Sequence, residues 1–329
     1  MYMNDNTIEV SVIIPNYNGG KYLKGCIDSL LRQTFTKYKI IVVDNGSEDG
    51  SYDILTQNYP NIQLIRLDSN YGFSIAVNEG IKKSDTKYIA LLNNDTELDK
   101  DWLLNLIQCM EKDERIFSCC SKMIQYYDRY KIDDAGDQYT ILGWAYKRGD
   151  NQKIDKYVKS SKVFSSCAGA AIYRKSILDE IGLFDENFFA YMEDVDISYR
   201  AKIYGYKNVY CSNARVYHIG SATSGSKYNS FKVYLAARNN VYVIYKNMPI
   251  LQFIINSPFL LVGFLTKMLF FFSIGYGKSY IKGFTDAFKN LKNIRRVHHS
   301  YKFFFNYVGI EYEMIINTIK YVLSKIKIL

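Results

Sequence analysis

Four short polar segments in the first hundred residues each end a run of apolar residues, and three of the four carry an aspartate. They are Pro15-Asn16-Tyr17-Asn18, Asp44-Asn45-Gly46-Ser47, Asp68-Ser69-Asn70-Tyr71-Gly72 and Asn93-Asn94-Asp95. A polar group at the end of a buried strand needs a hydrogen-bond partner or a ligand. One such segment is typical of a turn. Four together predict a pocket lined by amides and carboxylates.

The apolar runs before these segments predict β-strands, and the amphipathic stretches between them predict helices. The predicted strands are 8–15, 38–44, 62–67 and 87–92, and the predicted helices are 25–34, 51–59, 73–83 and 98–110. Strands that alternate with helices predict a parallel sheet with helices on both faces. In such sheets ligands bind outside the carboxyl ends of the strands, where the four polar segments lie.

The pattern loosens in the second third of the chain. We predict a strand over 117–127, a long loop region over 128–160, and then a strand and a helix that ends at Gly182. A second helix ends at Gly205, and an extended segment brings His218 to its end. Long loops in compact domains are often functional.

The composition is typical of a folded protein, with 48% hydrophobic and 23% charged residues among 329. The net charge of +9 lies entirely in residues 241–329, which hold twelve Lys and Arg and three acids. The six cysteines show no CxxC pair and no other metal-ligand spacing, and residues 1–10 lack a signal-peptide profile. We therefore expect reduced, buried and inert thiols in the cytosol.

Several common ligand motifs are missing from this sequence. There is no GxGxxG after the first strand, no GxxxxGK[ST] and no GxSxG. These absences argue against a dinucleotide cofactor, a Walker-type phosphate site and a hydrolase serine. No run interleaves aromatic and basic residues in the manner of an RNA-binding platform, so we expect no nucleic-acid partner.

An ordered set of segments resembles the family 2 glycosyltransferases, in particular the rhamnosyltransferase-like branch that builds bacterial surface polysaccharides. The segments are VIIPNYN, IIVVDNGSED, DSNYGFSIAVNEGI, ALLNNDTEL, CAGAAIYRKSILDEIGLFDENFFAYMEDVDISYRAKIYGY and VYHIGSATSG. The resemblance covers residues 8 to 245. Each segment alone is a weak signal, whereas their order and spacing, with the FDENFFAYMEDVD block, are specific.

The resemblance implies a GT-A fold, which is a Rossmann-like, mostly parallel sheet flanked by helices. It also implies a nucleotide-sugar donor, a divalent metal (Mn²⁺ or Mg²⁺) and inversion at the anomeric carbon. Asp95 would be the metal-binding acid of the family's DxD motif, His218 would join the metal, and Asp194 would be the catalytic base. The implied donor-binding residues are Pro15, Tyr17, Asn18, Asp44, Asn70, Gly72, Asn93, Asn94, Asp95 and Gly169, the first five of them around the base and ribose.

These residue types suit the implied chemistry. A hard divalent cation on oxygen ligands neutralises a diphosphate leaving group by bridging its phosphates, and Asp95 lies at the predicted pocket floor. A sugar hydroxyl is a weak nucleophile, so a carboxylate must take its proton as the new bond forms. Asp194 opens a predicted helix, whose dipole favours the ionised carboxylate. Attack opposite the diphosphate would give inversion in one displacement.

Two departures from the family pattern are visible. The family's metal-binding triplet often begins with aspartate, whereas this chain has Asn93, so metal binding would depend on Asp95 and His218. The QxxRW motif of processive synthases is missing, which argues for the addition of one or a few sugars to each acceptor.

Each of these residues also has a purely structural interpretation. Asp44 could cap a turn, Gly169 could only pack tightly, and His218 could be a structural histidine. Asp194 lies in an acidic cluster that could simply be a solvated helix start; the companion motifs favour the functional interpretation. For Arg238-Asn239-Asn240 a surface helix turn and a contact to a phosphate remain equally open.

The C-terminal region combines apolar and basic residues. Residues 247–266 contain no charged residue, and Gln252, Asn256, Gly263 and Lys267 recur at helical spacing on one stripe. Because Pro258 and Lys267 interrupt the apolar run, we favour a helix in the membrane interface over a spanning helix. Clustered Lys and Arg beside it are attracted to anionic lipids of the cytoplasmic leaflet. A helical cap on the body or an oligomer interface is the alternative.

We therefore predict an inverting, metal-dependent, non-processive enzyme on the cytoplasmic membrane face. It would move rhamnose or another hexose from a dTDP- or UDP-sugar to a saccharide acceptor, which could be lipid-linked, and it could be a homodimer. The predicted units are 1–118 for the nucleotide sugar, 119–245 for the acceptor and catalysis, and 246–329 for the membrane. The alternatives are a catalytically silent sugar-nucleotide-binding scaffold and a nucleotidyltransferase on a similar sheet.

Overall fold

The computed structural model of the chain describes residues 7–220 and 228–326. Three parts of the sequence interpretation lie outside these residues: most of the N-terminal segment, the SATSG portion of the last motif, and Lys327.

The described residues form twelve strands and ten α-helices. In chain order they are β1 Val10–Asn16, α1 Gly20–Leu31, β2 Tyr38–Asn45, α2 Ser51–Asn58, β3 Gln63–Leu67, α3 Phe73–Lys82, β4 Tyr88–Leu92, β5 Thr96–Leu98, α4 Trp102–Met110, β6 Ile116–Gln125, β7 Ile132–Asp134, β8 Asp137–Tyr139, β9 Ala145–Lys147, β10 Ser161–Val163, β11 Ala170–Arg174, α5 Lys175–Ile181, α6 Glu193–Ile203, β12 Lys207–His218, α7 Ser230–Asn247, α8 Ile250–Ser273, α9 Gly277–Asn290 and α10 Phe304–Ile326. All four predicted strands and four predicted helices of the first 110 residues are present.

One sheet of ten strands runs through the described part of the chain, in the order β10-β12-β6-β11-β4-β1-β2-β3, with β5 paired to β12 and β7 to β6. β1 pairs in parallel with β2 and β4, and β2 pairs in parallel with β3, as predicted. β11 instead runs antiparallel between β4 and β6. Its first residue, Ala170, lies beside Leu92 at the end of β4, so the turn before β11 reaches the edge where ligands bind in such sheets.

The sheet has a separate hydrophobic core on each face because side chains alternate along each strand. Val12 and Ile14 of β1 pack with Leu23 and Trp102 on one face, whereas Ile13 packs on the other face. The second core holds Val77 of α3 and Ile197 of α6. β2 is buried on both faces from Ile40 to Val43, as the continuous apolar run indicates.

The segment 128–160 is more ordered than the predicted long loop. It contains β7, β8 and β9, of which β7 pairs with β6 and β8 pairs with β9. These strands are only three residues long, and their polar composition gave no alternating pattern from which to predict them.

The predicted polar stripe of α8 packs against the rest of the protein. The side chains of Gln252 and Asn256 donate to Oε2 of Glu311 on α10 at 2.7 and 2.8 Å. Trp144 Nε1 donates to the carbonyl of Gly263 at 3.1 Å, and the Lys267 ammonium lies over the ring of Trp144. The remaining faces of α8 expose many large apolar side chains, including Ile250, Leu251, Ile254, Leu261 and Leu269.

α8 is also long and apolar enough to cross a membrane, and it is the one helix among the described residues with that property. The division of the chain at residues 118 and 245 stays a prediction; β6 spans the first of these points, and α7 ends just after the second.

A buried ion-pair cluster joins α6 to α7. Asp196 is fully buried, and its Oδ2 accepts hydrogen bonds from Arg200 Nε at 3.1 Å and from Lys246 Nζ at 3.0 Å. Its Oδ1 accepts from Asn247 Nδ2 at 2.8 Å, and Lys246 also pairs with Asp185. One member of the acidic cluster at the start of α6 is therefore structural.

We expect Asp196→Ala to lower the free energy of unfolding by about 3–5 kcal/mol, because the buried side chains of Arg200 and Lys246 lose a carboxylate partner. Urea denaturation followed by circular dichroism measures the loss. Asp179→Ala is the matched control, since it removes an exposed i,i+4 pair with Lys175 and should cost about 0–1 kcal/mol. Equal losses in the two variants would contradict the structural role of Asp196.

Candidate active site

The carboxyl ends of β1, β2, β3 and β4 open into a cleft with a volume of about 1370 Å³. Ten of the twelve predicted site residues line it: Pro15, Tyr17, Asn70, Gly72, Asn93, Asn94, Asp95, Gly169, Asp194 and His218. Asn18 and Asp44 do not. The parallel register of the strands brings these segments together, because the ends of parallel strands meet at one edge of the sheet.

Asp44 lies behind the wall of the cleft and is only 1% exposed. Its Oδ1 accepts from Asn16 Nδ2 at 3.1 Å, and its Oδ2 accepts from the Ser47 amide at 3.3 Å. Asn16 Oδ1 in turn accepts from Asn94 Nδ2 at 2.8 Å. These bonds tie the ends of β1, β2 and β4 together. The predicted contacts of Asp44 and Asn18 with a donor remain predictions, and Asn16 is a cleft residue that our predicted set did not include.

The segment after β3 packs against the loop that precedes α6. Asn45 Nδ2 donates to Asn70 Oδ1 at 3.0 Å and to the Gly72 carbonyl at 3.1 Å. Gly72 has φ +88°, and a Cβ atom there would lie 2.4 Å from the carbonyl oxygen of Phe189. Only glycine therefore allows this approach without movement of the backbone.

Asp95 and His218 meet at the end of β4 although 122 residues separate them. The antiparallel pairing of β12 with β5 sets His218 opposite Thr96. The distance from His218 Nε2 to Asp95 Oδ1 is 3.4 Å. A carboxylate oxygen and an imidazole nitrogen at this separation fit two ligands of one divalent cation, since both are ligands that Mn²⁺ accepts.

A second carboxylate holds the other side of His218. Asp133 Oδ2 lies 2.8 Å from His218 Nδ1, and Lys147 Nζ donates to both oxygens of Asp133 at 3.0 Å. Burial alone would lower the pKa of His218, but Asp133 and Asp95 outweigh it and raise the pKa to about 9. With Nδ1 donating to Asp133, Nε2 is the ring nitrogen that can bind a cation once it releases its proton. Neither Asp133 nor Lys147 was predicted.

We expect Asp133→Asn to weaken Mn²⁺ binding by about 10- to 100-fold, which is the usual effect of losing the carboxylate that orients a metal-binding histidine. Isothermal titration calorimetry of the free protein with Mn²⁺ measures the change without any turnover. Asp155→Asn, at an exposed position of the same segment outside the cleft, controls for the loss of one negative charge. Unchanged Mn²⁺ affinity in Asp133→Asn would contradict the orienting role.

The loop before α6 has an unusual backbone that α7 holds in place. Phe189, Tyr191 and Met192 have φ values of 39°, 69° and 73°. The buried Asn239 donates from Nδ2 to the carbonyls of Ala190 at 2.8 Å and Tyr191 at 2.7 Å. Such strain persists only where the surroundings over-determine it. This contact settles the open question about Asn239, whose role is to clamp the loop that leads to Asp194.

Asp194 lies in the first turn of α6 and lines the cleft. Its Oδ1 accepts from the Val195 amide at 2.8 Å. Burial raises the pKa of Asp194, while nearby backbone amides act in the opposite direction. The neighbouring Glu193 is buried in the same wall, so the acidic cluster is not a solvated helix start.

The profile described as "Glycosyl transferase family 2" matches residues 11–182, which is more than half of the chain. This chain belongs to glycosyl transferase family 2. The family assignment makes the protein a glycosyltransferase, as the ordered motifs predicted.

Relatives of this glycosyltransferase include enzymes of surface-polysaccharide synthesis. It is 27% identical over 229 residues to the O-antigen chain rhamnosyltransferase RfbN of Salmonella typhimurium, with 68% of this chain and 70% of that one covered. It is 24% identical over 237 residues to the N-acetylglucosaminyl-diphospho-decaprenol L-rhamnosyltransferase of Mycobacterium tuberculosis, covering 65% and 77%. The match to the uncharacterized glycosyltransferase YibD of Escherichia coli, 39% identical over 99 residues, spans only 29% of this chain and 28% of YibD.

The fold is confirmed by a solved structure. GalNAc-T7, crystallised with UDP, GalNAc and Mn²⁺, superimposes with a TM-score of 0.59 at 19% sequence identity, over 73% of this chain and 48% of that one. At this identity the likeness establishes the common GT-A-like fold of the glycosyltransferase, with its sheet flanked by helices.

Proposed function

We propose that this glycosyltransferase moves rhamnose or another hexose from a dTDP- or UDP-sugar to a saccharide acceptor, with inversion and without processive elongation. One observation carries the proposal: Asp95 and His218 lie 3.4 Å apart in the same cleft that Asp194 lines. A cation site and a general base in one cleft are the two components that a single displacement of a nucleoside diphosphate requires. The rhamnosyltransferase relatives support the choice of donor class.

Asp95 and His218 would hold Mn²⁺ or Mg²⁺. When bound, the cation supplies charge neutralisation for the diphosphate that leaves. The donor set fits such an ion, because a carboxylate oxygen and an imidazole nitrogen already face one another and Asp133 orients the ring; the imidazole would release its proton as the cation binds. Around the ion, the amides of Asn93 and Asn94 offer hydrogen bonds to the donor. Gly169 keeps this corner open, since a Cβ atom there would lie 3.0 Å from Asn93 Nδ2.

Asp194 would take the proton of the acceptor hydroxyl as the glycosidic bond forms. The hydrogen bond from the Val195 amide fixes the carboxylate at the cleft wall, so its orientation does not depend on the substrate. The N-terminal end of α6 favours the ionised form, while burial makes that form a stronger base than an exposed aspartate.

The proposal is tested by the release of nucleoside diphosphate from a panel of nucleotide sugars, with Mn²⁺, with Mg²⁺ and with a chelator. We expect metal-dependent hydrolysis or transfer with one dTDP- or UDP-sugar. Binding of a nucleotide sugar by calorimetry with no release, even when saccharide acceptors are supplied, would favour a catalytically silent binding protein. Failure to bind any of the nucleotide sugars would overturn the proposal.

We further propose that α8 and α10 place the enzyme at the cytoplasmic membrane face, where a lipid-linked acceptor would be presented. The polar stripe of α8 is used against the body, and its outward faces expose apolar side chains over the whole helix. α10 adds exposed Phe305 and Tyr312, and the net charge of +9 of residues 241–329 favours anionic lipids.

We expect the triple variant Ile254→Glu, Leu261→Glu, Leu265→Glu to bind anionic vesicles at least about tenfold more weakly, because it charges the face that would enter the interface. Co-flotation with phosphatidylglycerol vesicles measures the bound fraction. A triple variant on the body, Leu31→Glu, Ile54→Glu, Val158→Glu, makes the same change in charge at exposed apolar positions. Equal flotation of the two variants would contradict a membrane role for α8.

A further inference from the structure

Three cysteines from three different elements meet inside the body, away from the cleft. They are Cys109 of α4, Cys119 of β6 and Cys211 of β12, and their sulfur atoms all lie within 4.8 Å of one another. They are 3%, 0% and 5% exposed, respectively, and none of them lines the cleft. The sequence could not reveal this group, because 9 and 91 residues separate its successive members and no metal-binding spacing results.

The regular pairing of β12 with β6 is interrupted next to Cys211. It jumps from Cys211 opposite Ser121 to Arg215 opposite Lys122, so residues 212–214 bulge out of the ladder. At the bulge the Cys211 thiol donates to the carbonyl of Asn105 on α4, with 3.6 Å between the sulfur and the oxygen. Bulges re-aim side chains locally, and this bulge follows the residue whose thiol contacts α4.

The three sulfurs form a compact group of soft ligand atoms in the interior of the described chain. Cys26 differs, since it does not belong to this group; its Sγ donates to the carbonyl of Asn93, and burial raises its pKa to about 12. Cys26 therefore behaves as the inert buried thiol that the sequence predicts for all six cysteines.

We propose that Cys109, Cys119 and Cys211 form a three-thiolate site for a thiophilic closed-shell cation, Zn²⁺ or Cu⁺. Soft thiolate ligands select these ions over Mn²⁺ and Mg²⁺. At a metal–sulfur distance of about 2.3 Å, three sulfurs around one ion lie about 4.0 Å apart, so shifts of less than about 1 Å close the present triangle. Binding forms three metal–sulfur bonds and releases the three thiol protons to solvent.

The position of this site suggests what it does. It joins α4, which follows the Asp95 segment, to the two strands β6 and β12, the second of which ends at His218. An exposed hydrogen bond from Asn105 Nδ2 to the Asn213 carbonyl at 3.2 Å lies above it, where the turn of α4 meets the bulge. A cation bound there would hold α4, β6 and β12 together beside the cleft without contacting a substrate. This proposal does not depend on the proposed sugar transfer.

The test uses the full reduced chain and one metal at a time. Cd²⁺ is titrated first as a spectroscopic substitute, and its sulfur-to-metal absorption in the ultraviolet reports thiolate ligands. Zn²⁺ and Cu⁺ are then added separately, and bound metal per chain is measured by mass spectrometry of the native protein. We expect each chain to bind one equivalent of Cd²⁺, and one equivalent of either Zn²⁺ or Cu⁺. The bound metal should raise the midpoint temperature of thermal unfolding.

Cys211→Ser should lower the Cd²⁺ affinity at least 100-fold, and Cys26→Ser is the matched control that should leave it unchanged. If Cys211→Ser does not fold, as judged by circular dichroism, Cys109→Ala at the edge of α4 replaces it. Saturation with UDP and Mn²⁺ should not displace the bound cation, since the two sites are separate. The proposal would be overturned if the reduced chain took up no stoichiometric metal. It would also be overturned if Cys26→Ser lost as much Cd²⁺ affinity as Cys211→Ser. A third contrary result is a disulfide between two of the three thiols in a chain that still binds no metal after the disulfide is reduced.

Discussion

Asp194→Asn is expected to lower the rate of sugar transfer by about 10²- to 10⁴-fold, the usual contribution of a positioned general base. The amide has nearly the shape of the carboxylate and can still accept the Val195 hydrogen bond through its oxygen. The strained loop and the start of α6 should therefore stay in place. Donor affinity, measured by calorimetry with the nucleotide sugar and Mn²⁺, should change by less than about threefold. The loss would then lie in turnover and not in binding.

The variant Glu193→Gln distinguishes the role of Glu193 from the role of Asp194, its neighbour in the cleft wall. Glu193 is buried whereas Asp194 is partly exposed, and within the described residues the Oε2 atom of Glu193 has no hydrogen-bond partner. If Glu193→Gln lowers the rate of sugar transfer and Asp194→Asn leaves that rate unchanged, the general base is Glu193 and our assignment is wrong. If both variants lose donor binding as well, the wall supports the donor, and neither acid has been identified as a base.

The pH dependence of the rate offers an independent check on Asp194. Burial raises its pKa, and only the ionised carboxylate can accept the hydroxyl proton. As the pH falls through this raised pKa, the base becomes protonated and kcat/KM should fall with it. The acidic limb of the profile should therefore lie above the range of an exposed aspartate, and it should vanish in Asp194→Asn. A limb that persists in the variant belongs to another group.

The sequence predicts the first half of the molecule well because its information is local. Continuous apolar runs such as that of β2 mark strands that are buried on both faces, and the polar residues after them mark the edge of the sheet. Parallel strands then bring Asn70, Asn94 and Asp95 into one cleft without further information. Strand direction in the second half is different, since no local pattern distinguishes the antiparallel β11 from a parallel strand.

The features that the sequence misses depend on partners far apart in the chain. His218 is oriented by Asp133, which is 85 residues away in a segment whose short strands have no recognisable period. The positive φ values of Phe189, Tyr191 and Met192 are held in part by Asn239, which is about 50 residues away. The three cysteines met only after α4, β6 and β12 were placed side by side. In each case the local residues allow several conformations, and tertiary contacts select one.

Asp95→Ala is expected to abolish the effect of Mn²⁺ on donor binding. Asp95 is the carboxylate of the two proposed ligands, and a metal-bound His218 alone would offer a single nitrogen. In the native enzyme, Mn²⁺ should tighten the binding of the nucleotide sugar, since the cation joins the diphosphate to the protein. In Asp95→Ala, the calorimetric affinity for the donor should be the same with Mn²⁺ and with a chelator, and the transfer rate should fall at least about 100-fold.

Asn93→Asp is the complementary change, because it restores an acid at the place where the family's triplet often begins with aspartate. Added carboxylate charge near the ion should increase Mn²⁺ affinity if Asn93 faces the same cation as Asp95. It should leave the affinity unchanged if Asn93 only packs beside Gly169, as its Nδ2 does in this structure. A donor affinity that responds to Mn²⁺ equally in Asp95→Ala and in the native chain would place the cation elsewhere. The pairing of Asp95 with His218 would then be a structural contact that positions the end of β12.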